Sequence, residues 1–206
     1  MANNYEMAFN GSSSYINAGN FSLSESAFTI ALWQKFQYTP QGVNTIAAKS
    51  SIGAGQFEIL GNTNGSFDIN LYGSNGTINI TTSTRSGGYN NSNWNLLVLT
   101  WSTTEGAKWY FNGTERGTDT TNIGTLLQGG GDFLIGARNS ASPQDFYGNS
   151  TTGSGFRAMD EFAVWNEVLT PNEIQTMKNA KSNGFTADLN NLGGVAEPKL
   201  WNRMGD

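Results

Sequence analysis

The sequence predicts an all-β protein that folds as a two-sheet antiparallel jelly-roll sandwich with one short C-terminal helix. Short segments rich in aromatic and β-branched residues follow one another along the chain, separated by Gly, Asn or Ser, as is typical of strands joined by turns. Helical periodicity is almost absent before Thr170. Because no helices alternate with the strands, the pattern favours an antiparallel sandwich over a parallel sheet with crossover helices.

The strand candidates are the segments 28–36, 55–60, 67–73, 77–83, 94–102, 107–116 and 132–138. Asn-Gly pairs occur along this series at residues 64–65, 75–76 and 112–113. Tight hairpin turns need residues that tolerate a positive φ, and Asn-Gly meets that need. The segments are therefore predicted to pair as hairpins within a meander or Greek-key arrangement.

One short helix is predicted to begin at Pro171, directly after the last strand. Thr170 can cap this helix, with Pro171 at its first position and Glu173 three residues after the cap. This spacing allows the two side chains to satisfy free amides reciprocally. Ile174 and Met177 lie three residues apart and give the helix one apolar face for packing on the sandwich.

The length of 206 residues suits a single all-β domain. Residues 1–186 are expected to form this jelly-roll domain. Residues 187–206 are expected to form a C-terminal tail or linker, because their sequence is polar and contains glycines. Trp201 is the one aromatic residue in that tail, and it predicts docking of the tail on a neighbouring protein.

Composition excludes several classes of function. The formal net charge is -5, charged residues make up 13% of the chain, and lysines and arginines form no cluster, so we expect no nucleic-acid partner. No run of 18 apolar residues occurs, so we expect no membrane span, and the N-terminal sequence lacks the pattern of an export signal. The absence of cysteine excludes disulfides, thiolate nucleophiles and zinc sites built on cysteine.

Four stretches, read in order, carry a resemblance to a known family. They are "MAFNGSSSYINAGNFSLSESAFTIALWQKF" (7–36), "NWNLLVLTWSTTEGAKWYFNGTERG" (93–117), "FLIGAR" (133–138) and "MDEFAVWNEVLTPNEI" (159–174). Together they resemble a laminin-G-like domain of the concanavalin A-like lectin/glucanase superfamily, over about residues 5–181. The resemblance implies a concanavalin A-like jelly roll whose last strand is followed by a short helix packed over the end of the sandwich.

The superfamily includes glycoside hydrolases, which need two carboxylates projecting to one face of a cleft. Its hydrolase members usually carry a Glu-x-Asp-x-x-Glu strand, and this chain has no such string. Asp160 and Glu161 are adjacent, so on a regular strand they are expected to point to opposite faces. The chain also has no histidine. The sequence therefore favours a non-catalytic protein, with a glycoside hydrolase as the less favoured alternative.

The resemblance also implies a structural Ca²⁺ ion. Similar domains often hold this ion between the first turn and the aspartate of the last strand, which here places Asp160 as the carboxylate ligand and Asn10 and Gly11 as carbonyl donors. Calcium prefers such oxygen ligands. Asn10 stands where an aspartate is often found, which removes one charge. The alternative is that Asp160 only accepts hydrogen bonds from amides of the first turn.

Glycan binding is predicted for loop residues that combine aromatic rings with polar groups, because sugars bind apolar platforms oriented by a few hydrogen bonds. The candidates are Tyr89 and Asn90 in the loop 86–93, and Asp145, Phe146 and Tyr147 in the long loop 138–155. The alternative is that these rings fasten the loops to the sandwich. Four tryptophans fall at core-strand positions and are expected to be buried, namely Trp33, Trp94, Trp101 and Trp165.

The C-terminal string "KLWNRMGD" (199–206) resembles strings that follow laminin-G-like domains in structural proteins of marine bacteriophages. This similarity implies a lectin-like virion surface component, such as a capsid decoration, tail or fibre protein. The expected partners are then other virion proteins or cell-surface glycans, and self-association into a homo-oligomer stays open. The alternative is a free carbohydrate-binding module that is secreted or otherwise extracellular.

Overall fold

The computed structural model describes residues 6–36, 43–51, 54–62, 65–82, 91–139, 145–147, 157–181 and 186–204. Within these ranges the chain forms two antiparallel sheets and one helix, which confirms the predicted fold class. The strands are β1 (Met7–Ala8), β2 (Ile16–Asn17), β3 (Ala27–Phe36), β4 (Asn44–Ser51), β5 (Ala54–Gly61), β6 (Phe67–Gly73), β7 (Gly76–Thr81), β8 (Asn91–Ser102), β9 (Gly106–Phe111), β10 (Thr114–Asp119), β11 (Phe133–Ile135), β12 (Arg157–Trp165) and β13 (Leu200–Asn202), and the helix is α1 (Pro171–Ala180).

The first sheet has the order β1-β12-β3-β8-β9-β10, with β13 also paired to β12. The second sheet has the order β2-β11-β4-β5-β6-β7. Strands that are distant in sequence lie side by side in both sheets, as β12 does with β3 and β11 with β4. Such crossings between hairpins are what distinguishes a jelly roll from a simple meander.

The main core lies between the two sheets and follows from the alternation of side chains along each strand. In β6, for example, Phe67, Ile69 and Leu71 are buried in this core, while the residues between them face outward and are partly exposed. A second apolar cluster lies on the outer face of the first sheet, where Trp33 and Trp94 pack with residues of α1. That sheet is therefore covered on both faces.

Helix α1 begins as the sequence predicts. The Thr170 hydroxyl oxygen accepts from the amide of Glu173 at 3.3 Å, and the Glu173 carboxylate accepts from the amide of Thr170 at 2.7 Å. Ile174 and Met177 are fully buried against the first sheet. Among the described residues, no helix has the length and apolar character needed to cross a membrane.

Residues 186–204, which we call the C-terminal segment, differ from the predicted tail or linker. Strand β13 lies in this segment and pairs with β12, so that Trp201 is opposite Ala163. Leu189 and Met204 are each only 1% exposed. The segment therefore packs on the sandwich as part of the fold. Its apolar residues are isolated and its strand is short, so the sequence pattern does not reveal this packing.

Replacement of Leu189 by alanine should lower the free energy of unfolding by about 2–5 kcal/mol, because it removes a buried side chain and leaves a cavity. A chain that ends after residue 185 should lose still more stability. Urea unfolding measures both effects, with Asn191→Ala as a matched control at an exposed position. If the shortened chain were as stable as the full chain, the segment would be the free tail that the sequence suggests.

Candidate functional site

The outer face of the second sheet carries an exposed polar surface on β6 and β7. We call this surface the polar ladder, and it consists of Asp68, Asn70, Tyr72, Asn79 and Thr81. These residues lie opposite the buried side chains of the same strands, and the cross-strand register places Asp68 beside Thr81 and Asn70 beside Asn79. A regular hairpin thus presents amide, hydroxyl, carboxylate and phenol groups side by side.

Hydrogen bonds within the polar ladder hold its side chains in place. The Thr81 hydroxyl donates to Asp68 Oδ1 at 2.8 Å, and the Asn79 amide donates to Asn70 Oδ1 at 2.6 Å. The Asn62 amide donates to the other oxygen of Asp68 at 2.8 Å. Each amide and carboxylate has further donor or acceptor capacity beyond these bonds. The polar side chains of the ladder are therefore held in fixed positions.

A charged group, which we call the Arg138 cluster, lies beside the polar ladder and contains Glu58, Tyr72, Arg138 and Asp145. Arg138 contacts Asp145 Oδ2 through Nε at 2.7 Å and through Nη2 at 2.6 Å, and its Nη1 lies 3.4 Å from Glu58 Oε2. The Tyr72 hydroxyl donates to the same Glu58 oxygen at 3.3 Å. Burial, together with the charge of Glu58, raises the pKa of Tyr72, so the phenol remains protonated at neutral pH.

Of the predicted glycan residues, Asp145 belongs to the Arg138 cluster and Phe146 follows it in the chain. Asp145, with a positive φ of 51°, is half-buried and ion-paired to Arg138. Phe146 is half-buried and lies beside Tyr15, with ring centroids 6.1 Å apart. Tyr15 is 37% exposed and was not among the predicted residues. Tyr89 and Asn90 lie outside the described residues.

Tyr147 does not fit the prediction that it binds a glycan. Its side chain is fully buried, and its hydroxyl donates to Gln34 Oε1 at 2.6 Å. Its ring meets Phe9 edge to face, with centroids 5.4 Å apart. The ring therefore fastens its loop to the sandwich, which was the alternative interpretation of the loop aromatics. The sequence does not distinguish the roles of neighbouring Phe146 and Tyr147.

Sequence reasoning predicted none of the five residues of the polar ladder, although the signal was present. In "FDINLYG" and "GTINIT" the polar residues alternate with apolar ones over two strand candidates joined by Ser74 and Asn75. Such alternation predicts one polar face on a hairpin. It does not say whether that face is open, which depends on packing from distant parts of the chain.

The structure does not bring Asp160, Asn10 and Gly11 together as the predicted calcium site. The Asp160 side chain is fully buried, and its oxygens accept from the hydroxyl of Thr186 and from the amide of Glu161. Among the described residues, no group of three or more His, Cys, Asp or Glu side chains could hold a metal ion.

The side chain of Asn10 forms hydrogen bonds within the first turn. Asn10 is exposed, and its Oδ1 accepts from three amides of the same turn at 2.9–3.0 Å, those of Ser12, Ser13 and Ser14. Gly11 has a φ of 74° within this turn. These bonds involve the side chain of Asn10 and not the backbone carbonyls of Asn10 and Gly11 that were predicted as calcium ligands. Calcium binding and its ligands therefore stay a prediction.

Asp160 and Glu161 face the same segment of the chain, so the expectation that they point to opposite faces is wrong. A β-bulge shifts the register between Asp160 and Ala163, and Glu161 has a φ of 53°. Such a bulge breaks the alternation of side chains. Glu161 Oε2 accepts from the amide of Leu189 at 3.0 Å and from the indole of Trp201 at 2.7 Å.

Trp201 therefore docks on its own chain. Besides its bond to Glu161, its ring packs at the margin of the apolar cluster on the outer face of the first sheet. Docking of Trp201 on another protein, as the sequence suggests, is not needed to explain its position.

Burial raises the pKa of Asp160 to about 6 and that of Glu161 to about 7.

These two pKa values predict that stability depends on pH. Because the folded pKa values exceed the ordinary ones, the folded state binds protons more tightly, and this stabilising contribution is lost as pH rises through about 6 and 7. The free energy of unfolding should therefore fall between pH 4.5 and pH 7.5, on the order of 1 kcal/mol for each unit of pKa shift.

Asp160→Asn should reduce this pH dependence, because the amide can still accept from one partner and donate to the Thr186 hydroxyl. Urea unfolding at several pH values measures the slope. Glu197→Gln is the matched control, since it alters an exposed carboxylate in the same segment. An unchanged slope in Asp160→Asn would show that Asp160 does not carry the effect.

These features define a class of protein, a two-sheet antiparallel sandwich with one sheet covered by a helix and the other bearing an exposed polar face. The chain belongs to the concanavalin A-like lectin/glucanase superfamily, since its laminin-G-like family model matches residues 10–175. Comparison with curated protein sequences gives no match.

Several solved structures have a similar fold. A protein from Bacteroides ovatus, provisionally described as carbohydrate-binding, is 18% identical with a TM-score of 0.63, covering 98% of this chain and 52% of that one. The receptor-binding domain of a botulinum neurotoxin C/D mosaic serotype is 13% identical with a TM-score of 0.60, covering 88% and 44%. A heptameric pentraxin from Limulus polyphemus is 16% identical with a TM-score of 0.53, covering 97% and 94%. The chain thus spans about half the length of the Bacteroides protein.

Proposed function

We propose that this protein is a non-catalytic, lectin-like module that binds glycans through the polar ladder and the adjoining Arg138 cluster. The polar ladder is the observation that carries the proposal. Protein sites for sugars combine a few fixed hydrogen-bonding groups with an aromatic surface. The polar ladder supplies such groups from Asp68, Asn70 and Asn79, and Tyr72 supplies the ring.

The Tyr72 ring has a fixed position, which suits a platform for a sugar. Gly55 lies against it so closely that a Cβ added at Gly55 would be 3.0 Å from Tyr72 Cε2. The Tyr72 hydroxyl donates to Glu58, and Glu58 is ion-paired to Arg138. A half-buried, rigid ring loses little conformational freedom when a ligand packs on it.

The arrangement of carboxyl groups supports a non-catalytic function. A glycoside hydrolase needs one carboxyl group that donates a proton and a second that acts on the other side of the sugar. Glu58 and Asp145 both pair with the guanidinium of Arg138, which carries only donors. Asp160 and Glu161 have raised pKa values, but their side chains are buried beneath the C-terminal segment and no substrate reaches them.

A location on the virion surface is a further proposal, and the C-terminal string "KLWNRMGD" supports it through its similarity to bacteriophage structural proteins. Other virion proteins would then be partners beside the glycan. Mass spectrometry of purified virus particles tests this location. Finding the chain only in the medium, free of particles, would favour a secreted module instead.

Replacement of Tyr72 by alanine should weaken glycan binding about tenfold or more, because a stacked aromatic platform contributes on the order of 1 kcal/mol beyond the lost contact area. Asn79→Ala should weaken it several-fold through loss of one hydrogen-bonding group. A glycan array first identifies a bound glycan, and titration calorimetry then compares the variants. Asn79 is exposed on the edge strand of the second sheet, so its replacement should leave the fold intact.

The matched control is Asn191→Ala, which removes an exposed amide from the C-terminal segment and should leave binding unchanged. Two results would contradict the proposal. One is the absence of binding to any neutral or acidic glycan on the array. The other is equal affinity of the wild-type chain, Tyr72→Ala and Asn79→Ala for the glycan identified.

A further inference from the structure

A cavity lies between the outer face of the first sheet and the C-terminal end of α1. We call it the Trp33 pocket. Its volume is about 310 Å³, which is at the lower end of the range for ligand sites. Its lining includes Trp33, Trp94, Asn95, Asn112, Lys178 and Lys181.

We propose that the Trp33 pocket binds the carboxylate-bearing unit of an acidic saccharide. In this arrangement Lys178 and Lys181 meet the carboxylate, and the asparagine amides meet hydroxyl groups of the sugar. The pocket is formed by the first sheet and α1, whereas the polar ladder belongs to the second sheet. The inference therefore goes beyond the function proposed for the polar ladder and does not depend on it.

The charge in the pocket is the first observation behind this inference. Neither Lys178 nor Lys181 forms an ion pair with a described residue, although the chain has a net charge of -5. Nearby Lys35, in contrast, is paired with Glu6 at 2.8 Å. Burial, together with the positive charge of Lys35, lowers the pKa of Lys181. An anion in the pocket would favour the charged form of Lys181 and so oppose this lowering of its pKa.

Lys181 is held in position to meet a ligand. Its Nζ donates to the backbone oxygen of Trp94 at 2.8 Å and lies 5.8 Å from the ring centroid of Trp33. An ammonium group has three donors, so further N–H groups remain beyond this bond. The cation is therefore fixed at the wall of the pocket, with donors to spare for a carboxylate.

The indole of Trp33 is the second observation. Its Nε1 is buried and has no hydrogen-bond partner in the described structure. An unsatisfied buried donor costs stability, so the wall of the pocket contains a polar group that the protein itself leaves without a partner. Trp101 and Trp109 also have unpartnered indoles, but these rings belong to the core between the sheets. Trp33 is the one of the three that lines the pocket.

The asparagines supply donors and acceptors of the kind that sugar hydroxyls need. The amide of Leu96 donates to Asn112 Oδ1 at 2.9 Å, and Asn112 Nδ2 donates to Asn95 Oδ1 at 2.9 Å. These bonds fix the orientation of the Asn112 amide, whose second N–H is not used in them. The fixed amide can therefore discriminate between hydroxyl positions.

A singly charged carboxylate suits the pocket better than a phosphate. The pocket lies near the C-terminal end of α1. Lys178 is in the last turn of this helix, and Lys181 is its C-cap residue. The carbonyl groups at a helix C-terminus carry partial negative charge, which disfavours a doubly charged anion. The lining also contains no arginine, the residue best suited to bidentate contacts with phosphate.

The inference can be tested by adding glucuronate, glucose or inorganic phosphate to the ¹⁵N-labelled full chain and following the backbone amide, side-chain amide and indole N–H signals by NMR. Glucuronate should shift the Trp33 and Trp94 signals in a saturable manner and leave those of Trp101 and Trp109 unchanged. Glucose and phosphate should bind at least tenfold more weakly. Shifts confined to residues of the polar ladder would instead report the site of the proposed function.

Charge-removing variants complete the test. Lys178→Gln together with Lys181→Gln should weaken glucuronate binding at least tenfold, and the exposed Lys199→Gln is the matched control with full affinity. Lys178→Gln alone, at an exposed position, should weaken binding several-fold if the double variant fails to fold. The alternative is that both lysines only stabilise the helix dipole, in which case their replacement leaves glucuronate binding unchanged. No glucuronate shift at Trp33 and Trp94, equal affinity in the lysine variants, or equal binding of phosphate would overturn the inference.

Discussion

The pairing of β12 is the constraint on which the rest of the structure depends. One edge of β12 pairs with β3, and its other edge pairs with β1 near its start and with β13 near its end. The bulge at Glu161 lies between these two partners and turns adjacent carboxylates toward the C-terminal segment. Because buried carboxylates require hydrogen-bond donors, that segment is held on the sheet.

The two outer faces of the sandwich have different roles for a physical reason. The outer face of the first sheet is apolar around Trp33 and Trp94, so it needs the cover that α1 and the C-terminal segment provide. The outer face of β6 and β7 is polar and is stable in water without such cover. The rigid core between the sheets thus supports an exposed polar face on one side, while the covered face has a pocket at the end of α1.

Local signals allowed much of the fold to be predicted from the sequence. The capping box at Thr170 and the apolar spacing of Ile174 and Met177 depend on residues within one or two turns, and the structure confirms both. The strand that precedes the helix was also predicted from its local pattern, whereas β4 and β13 were not among the strand candidates. The C-terminal segment could not be recognised in the same way, because its burial depends on a partner strand about 40 residues earlier in the chain.

The sequence by itself determined the all-β class, the family, the capped helix and the absence of a catalytic carboxylate string. Only the tertiary structure decided which polar residues meet. It buried Tyr147 beside Gln34, drew Asp160 and Glu161 to one segment through a bulge, and joined Asp145 to Glu58 through Arg138. The physical reason is that strand periodicity assigns a side chain to a face, whereas bulges and loop packing between distant segments decide what lies opposite that face.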